Sequence, residues 1–195
     1  MKRVFDIFGG ILGLLVIAPF VPFIVMAIKF ESKGPIIVRL KRMSRGKIVE
    51  VYKFRSMIHG AEAIKTNLTH LNERRDGPFF KIKNDPRLTK SGKIIRKFRI
   101  DEFPQLVNVL KGDLSLVGPR PHEEQEIEKY PDEFKSLKYA KAGVTGLSQV
   151  NGASSLPFIK ELQLDSYYLK NQNLWLDLKI IGKTLRILFS DPTAV

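Results

Sequence analysis

The sequence has no cysteine and only three histidines, His59, His70 and His122, in 195 residues. Without cysteine there is no disulfide, no thiolate metal site and no cysteine nucleophile. Three scattered histidines do not read as a multi-histidine metal centre, and none is given a role. No internal repeat or low-complexity tract is visible, and the length fits one domain with its own core better than two. Negative charge is also short. Lysine and arginine number 33 against 20 acidic residues, a net charge of +13. Such a balance predicts anionic partners: nucleic acid, acidic lipid headgroups or phosphorylated small molecules.

One long apolar run is present. Residues 7–28 carry no charge, and about 20 apolar residues cross a bilayer core. A signal peptide has a shorter apolar core and a small-residue cleavage site, so a membrane helix fits better. Lys2 and Arg3 precede the run, while Lys29, Lys33, Arg39, Lys41 and Arg42 follow it. The positive-inside tendency therefore draws both ends to one side, which a simple span does not satisfy. Pro19 and Pro22 each remove a backbone donor past the middle of the run, where a kink is expected. A helix that returns to its own side and a proline-kinked spanning anchor both fit. Asp6 is expected at the interface, paired with Arg3.

The remainder reads as mainly α with a small β-hairpin, an α/β class. Residues 35–42 and 48–54 are short β-branched stretches around an Arg45-Gly46 turn. Residues 62–77 suggest a short helix and a loop, and a helical pattern runs from Ser91 to Arg99. Phe103, Leu106, Val107 and Leu110 then repeat at helical spacing up to Gly112, with Asp101 as the expected N-cap. Leu174, Trp175, Leu178, Ile181, Leu185 and Leu188 form a second amphipathic stripe, expected to pack on the domain with partial membrane contact.

Asp101 and Glu102 are the sharpest chemical feature. Adjacent acids at a helix start often do no more than complement its dipole. Here Arg96, Lys97 and Arg99 lie just upstream and a Gly118-Pro119-Arg120-Pro121 turn lies downstream, so basic side chains surround the pair as phosphate binding requires. A carboxylate can attack phosphorus and form an acyl phosphate. The second carboxylate is then free for Mg2+, which takes one or two carboxylates together with substrate phosphates. Arg96 is the candidate for neutralising the transferred phosphoryl group.

Several segments then occur in a recognisable order: Lys53-Phe54-Arg55-Ser56-Met57, Asp85-Pro86-Arg87, residues 100–106, residues 108–113, Ser115 to Pro121, and Gly146 to Gly152. Together they resemble the bacterial sugar transferases, the monotopic phosphoglycosyl transferases that start polysaccharide and glycoconjugate assembly, including exopolysaccharide and lipopolysaccharide. The similarity runs from Lys2 to about Leu188. It implies Asp101 as nucleophile, Glu102 as Mg2+ ligand and Arg96 as phosphate-binding residue, with Lys53 and Arg55 near the acceptor or diphosphate. Pro119, Arg120 and Pro121 would form part of the nucleotide pocket, and Asp165 and Asp177 match family positions as partners of basic residues.

The resemblance further implies a re-entrant helix over residues 1–30, broken at Ala18-Pro19, and a cytoplasmic, membrane-associated catalytic domain over residues 31–195 with interfacial helices. The implied site is the cytoplasmic face of the bacterial inner membrane, the donor a UDP-sugar and the acceptor polyprenyl phosphate. No nucleic-acid partner is expected, and a homo-oligomer is compatible with the pattern. Two departures stand out: Ala18 and Ser148 replace a serine and a tryptophan common in relatives, and Ala153 replaces a basic residue. The rival reading is a membrane-tethered basic module that binds nucleic acid or anionic lipid without chemistry.

Overall fold

The structure is a computed structural model that describes residues 1–152 and 155–190; Ala153 lies outside the described residues. The described part is mostly helical, with two small two-stranded sheets. Helix α1 (Lys2–Ile17) gives way to a 3-10 turn over Ala18–Phe20 and then to α2 (Val21–Glu31). The change of helix type falls at Ala18-Pro19, where Pro19 has no N–H to continue the ladder. Phe8, Leu12, Leu15, Val16, Phe20, Phe23, Met26 and Phe30 are exposed along α1 and α2. Each such side chain is worth about 1.5–3 kcal/mol when buried. Exposed to water in the folded and unfolded chain alike they contribute none of this, and eight of them along one segment make an apolar patch of the kind that meets a membrane or a partner.

Both ends of this apolar segment are tied to the same body. At the start, Lys2 Nζ donates to Asp177 Oδ2 at 2.6 Å and to the Tyr168 hydroxyl at 2.9 Å. Arg3 donates to the carbonyls of Val109 and Leu110 at 2.5 and 2.7 Å. These carbonyls sit near the C-terminus of a helix, where a cation is favoured. Asp6 is therefore neither interfacial nor Arg3's partner, contrary to the expectation from sequence. It is buried, accepting from Ser115 Oγ at 2.8 Å and from the Leu116 N–H at 2.8 Å, with Lys141 Nζ 3.7 Å away. A buried carboxylate needs such donors, and the strand at 115–117 supplies them.

At the far end, Arg55 Nη1 donates to the Lys33 carbonyl at 2.8 Å, and Nη2 reaches the Ser32 carbonyl. The Glu31 carboxylate accepts from the Ser91 N–H at 2.9 Å and from its hydroxyl at 2.9 Å. Ile17, Ile24 and Ile28 join Phe54 and Ile95 in a core that Ile100 and Phe103 border.

Strands β1 (Ile37–Ser44) and β2 (Lys47–Phe54) form the expected antiparallel hairpin, with Ser44 opposite Lys47. The two-residue turn needs positive φ at both positions; Arg45 and Gly46 have φ of 54° and 70°. Residues 66–71 form a 3-10 helix where a short helix was expected. Helix α3 (Lys90–Lys97) is capped by Thr89, whose hydroxyl accepts from the Gly92 N–H at 3.0 Å. A Cβ on Gly92 would lie 1.9 Å from the Ser56 carbonyl oxygen, so only glycine lets α3 sit against the segment after β2.

The acid-bearing element differs from its sequence reading. A 3-10 turn over Ile100–Glu102 precedes α4 (Gln105–Lys111), and Pro104, not Asp101, is the N-cap. The tighter turn alters the helical phase. Val109 is consequently fully buried with Val51 and Leu114, while Val107, expected inside, is exposed. Gly112, with φ 93°, ends α4 as expected. Strand β3 (Ser115–Val117) pairs in parallel with β4 (Gly143–Thr145), across α5 (Glu124–Glu128) and a 3-10 helix over Asp132–Tyr139. Helices α6 (Leu147–Val150), α7 (Phe158–Asn171) and α8 (Leu174–Ser190) complete the chain. Ile180 of α8 is buried while Leu174, Trp175, Leu178 and Leu185 stay exposed.

Candidate active site

Asp101 and Glu102 sit on the 3-10 turn between α3 and α4, a placement set by two local stops. Helix α3 ends as Arg99 takes left-handed backbone (φ 52°), which breaks the ladder. Pro104 then opens α4. The short turn leaves Asp101 buried, its side chain 9% exposed, and Glu102 half-buried.

Strand β2 delivers the cation. Lys53 Nζ lies 2.8 Å from Glu102 Oε1 and 3.8 Å from Asp101 Oδ2. Asn108 of α4 holds β2 at this distance. Its Oδ1 accepts from the Tyr52 N–H at 2.9 Å and its Nδ2 donates to the Glu50 carbonyl at 2.7 Å, both on β2 just before Lys53. Arg96 donates through Nε to Ser56 Oγ at 2.9 Å and lies close enough for its charge to favour ionisation of Asp101. Arg120 and Arg99 act on Glu102 in the same way.

These neighbours split the two acids. Burial drives the Asp101 carboxyl above the usual range; Lys53 opposes this, the charge of Glu102 adds to it and Arg96 opposes it more weakly. Burial acts on Glu102 too, but Lys53 and Arg120 outweigh it and hold it at about 2. One acid is thus held toward its ionised form while its neighbour gives up a proton less readily. Such separation of an acid pair marks functional sites.

The other residues singled out from sequence fall in different places. Lys53, Arg96 and Arg120 gather around the acids. Arg55 does not: it is buried, with its guanidinium on the carbonyls that end α2. Pro119 and Pro121 flank Arg120, and the Pro119 carbonyl accepts from the Gly143 N–H at 2.8 Å. Asp165 is buried behind the turn, accepting from Ser148 Oγ at 2.6 Å. Burial pushes it up to about 7, against the pull of Ser148. Asp177 is remote from the acid pair in its bonding, holding Lys2 and the Tyr168 hydroxyl, the latter at 2.6 Å. Both Asp165 and Asp177 are buried. Asn108 and Ser56 were not singled out; their only sequence signal is that both lie inside the quoted motifs.

Among the described residues no group of three or more His, Cys, Asp or Glu side chains is placed to hold a metal. The donor set is instead one ionised carboxylate, Glu102, beside a basic cluster. That suits Mg2+, which commonly takes one or two carboxylates and completes its shell with water and substrate phosphate.

The turn carrying the two acids, faced by Lys53, Arg96 and Arg120, has the charge arrangement that a phosphate group would need. Residues 1–191 match the family described as bacterial sugar transferase, and the chain belongs to that family. It is 44% identical over 95% of its length to the galactosyl transferase CpsE of Streptococcus agalactiae, and 40% identical over 96% to the undecaprenyl-phosphate galactose phosphotransferase of Salmonella typhimurium. The aligned region covers 41% and 40% of those two proteins, so the chain spans about two fifths of their length. It spans 83% of the exopolysaccharide production protein ExoY of Sinorhizobium fredii, at 33% identity.

Proposed function

We propose that the chain is a sugar-phosphate transferase that moves a sugar 1-phosphate from a UDP-sugar onto polyprenyl phosphate, with undecaprenyl phosphate the expected carrier, in two displacements. The observation that carries this reading is the split acid pair beside Lys53, Arg96 and Arg120. In the first displacement, an oxygen of ionised Asp101 forms a bond to the β-phosphorus. The bond from that phosphorus to the bridging oxygen breaks, and uridine monophosphate leaves with the electron pair. In the second, a phosphate oxygen of the polyprenyl phosphate attacks the same phosphorus and the Asp101 carboxylate departs. The product is a polyprenyl diphosphate sugar, the starting lipid for exopolysaccharide, lipopolysaccharide or a related glycoconjugate.

Lys53, Arg96 and Arg120 neutralise charge on the transferred group and the diphosphate, the effect expected to dominate phosphoryl transfer. Glu102 would hold Mg2+, which when bound screens the diphosphate charge. Pro119 and Pro121 shape the nucleotide side of the site, and Arg55 acts there only indirectly, by fixing the end of α2.

The apolar segment is re-entrant in this proposal, covering residues 1–30 and breaking at Ala18 and Pro19. Supporting it, Lys2, Arg3 and Asp6 at one end and Glu31 at the other bond to the same body. Residues 31–195 then form the catalytic domain on the cytoplasmic face of the inner membrane, alone or as a homo-oligomer. Incubation with a radiolabelled UDP-sugar tests the chemistry: label should attach to Asp101, with release of uridine monophosphate, and Asp101→Asn should abolish both. Full turnover by that variant rules out covalent catalysis. Salt-sensitive binding of nucleic acid or anionic lipid without uridine monophosphate release would favour a binding module instead.

A further inference from the structure

Residues 53–56 touch four different parts of the molecule in succession. Lys53 reaches the acid pair, 2.8 Å from Glu102 Oε1 and 3.8 Å from Asp101 Oδ2. Phe54 lies in one core with Ile17, Ile24 and Ile28 of the apolar segment, and Ile100 and Phe103, which flank the acids in the chain, border that core. Arg55 is 5% exposed, and its guanidinium closes over the end of α2. Its Nη1 donates to the Lys33 carbonyl at 2.8 Å, and Nη2 to the carbonyls of Ser32 and, at 3.4 Å, Ile28. Ser56 Oγ accepts from Arg96 Nε at 2.9 Å, and the Ser56 carbonyl from the Thr89 N–H at 3.2 Å. The last carbonyls of a helix lack partners within it, and a cation there is favoured. A buried guanidinium in turn is costly unless its donors are used. Each side of the contact therefore holds the other. The main chain is pinned as well, the Arg55 N–H donating to the Ile36 carbonyl at 2.8 Å.

We propose that Arg55 is a positioning residue for Lys53: by clasping the carbonyls where the apolar segment ends, it fixes the end of β2 and keeps the Lys53 ammonium between the two acids. The inference rests on the transferase reading above, in which Asp101 must ionise to react. Lysine carries its charge on a flexible four-carbon stem, so where that charge lies depends on how firmly its backbone is held. Asn108 holds the strand before Lys53, at Glu50 and Tyr52. Arg55 holds it after. Arg55 acts through Lys53 and not by its own charge, since the cations that bear most on Asp101 are Lys53 and Arg96.

The test follows uridine monophosphate release across pH, with the full chain in membrane vesicles and whichever of UDP-galactose, UDP-glucose and UDP-N-acetylgalactosamine the wild-type protein converts fastest. Arg55→Gln removes the clasp. Lys53 then lies on average farther from Asp101, and the acid limb moves to higher pH, the direction expected for Lys53→Met. Removing an opposite charge outright raises a carboxyl by about 1–3 pH units, so a shift of about half a unit or more is expected. Gly34→Ala strikes the same contact from the other side: with φ 120° at Gly34, a Cβ there would collide with Arg55 Nη1 and His59 Nδ1. Its limb should move the same way. In a Lys53→Met background neither change should move the limb further, because the effect of both passes through Lys53. A limb that stays in place in both Arg55→Gln and Gly34→Ala leaves Arg55 a purely structural role and overturns the proposal. A shift that persists with Lys53 gone overturns it too, since Arg55 would then act by its own charge. Should Arg55→Gln fail to fold, Gly34→Ala decides alone. A wild-type protein that releases no uridine monophosphate from any of the three donors refutes the transferase reading, and this inference with it; with an active wild type, the variants judge this inference alone.

Discussion

Lys53 Nζ stands between the two acids, 2.8 Å from Glu102 and 3.8 Å from Asp101. One cation shared unequally by a buried and a half-buried carboxylate explains their opposite titration: the nearer acid is held ionised, and the farther one carries the cost of burial. Two consequences for titration can be measured, and two further tests bear on the strand that carries Lys53 and on the apolar segment.

Asp101→Asn should raise thermal stability while it removes turnover. A buried acid whose folded pKa is raised contributes fully below its unfolded value, and that contribution is lost as pH rises towards the folded value. Asparagine mimics the protonated form at every pH. Thermal unfolding should show a gain for the variant that grows from about pH 4 to pH 8, in the range of a few degrees. A variant less stable than wild type at pH 8 contradicts the picture.

The pH dependence of the first displacement should shift in opposite directions in two variants. Activity rises with pH as Asp101 loses its proton. Glu102→Gln removes a charge that raises Asp101, so the acid limb of its residual activity moves to lower pH. Lys53→Met removes a charge that lowers Asp101, so its limb moves up. Rates of uridine monophosphate release across pH check both, and limbs that move together would remove Lys53 and Glu102 as the controlling charges. Glu102→Gln should also weaken the response to added Mg2+ if that residue holds the ion.

Asn108→Ala should separate stability from chemistry less cleanly. It leaves the part-buried Tyr52 N–H and Glu50 carbonyl without their partners, about 1 kcal/mol for each bond. Because those groups lie on β2 just before Lys53, the expected outcome is a lower melting point together with a loss of turnover at temperatures where the variant is folded. Wild-type kcat in the folded variant would show that β2 finds its place without Asn108.

The absence of cysteine makes the topology directly testable. Val4→Cys is exposed at the start of α1, and Lys33→Cys lies just past α2. A membrane-impermeant maleimide should label both from the cytoplasmic side in inverted vesicles and neither in intact spheroplasts. Labelling of the two from opposite sides rules out the re-entrant helix.

Much of this site is readable in the chain because its parts are local. Asp101 and Glu102 are adjacent, Arg96 is one and a half helical turns upstream, and the proline pair around Arg120 announces a turn, so composition and spacing suffice to bring them forward. The hairpin is legible for the same reason: alternation and an Arg-Gly turn act over a few residues. The start of α4 is not. A 3-10 turn before Pro104 competes on nearly equal terms with an α-helix begun at Asp101, and packing of Val109 against Val51 and Leu114 decides between them.

Residue types and near-neighbour spacing, then, suffice for the apolar segment, its proline break, the acid pair and the excess of positive charge, because those are properties of single residues and short stretches. Which cation meets which acid depends on chain segments about fifty residues apart. Packing alone put Lys53 on the acids, turned Arg55 away to the end of α2, drew Asp6 under β3 and seated Asp165 behind Arg120. In each instance a buried polar group had to find its partner, and only the folded chain brings those partners within reach.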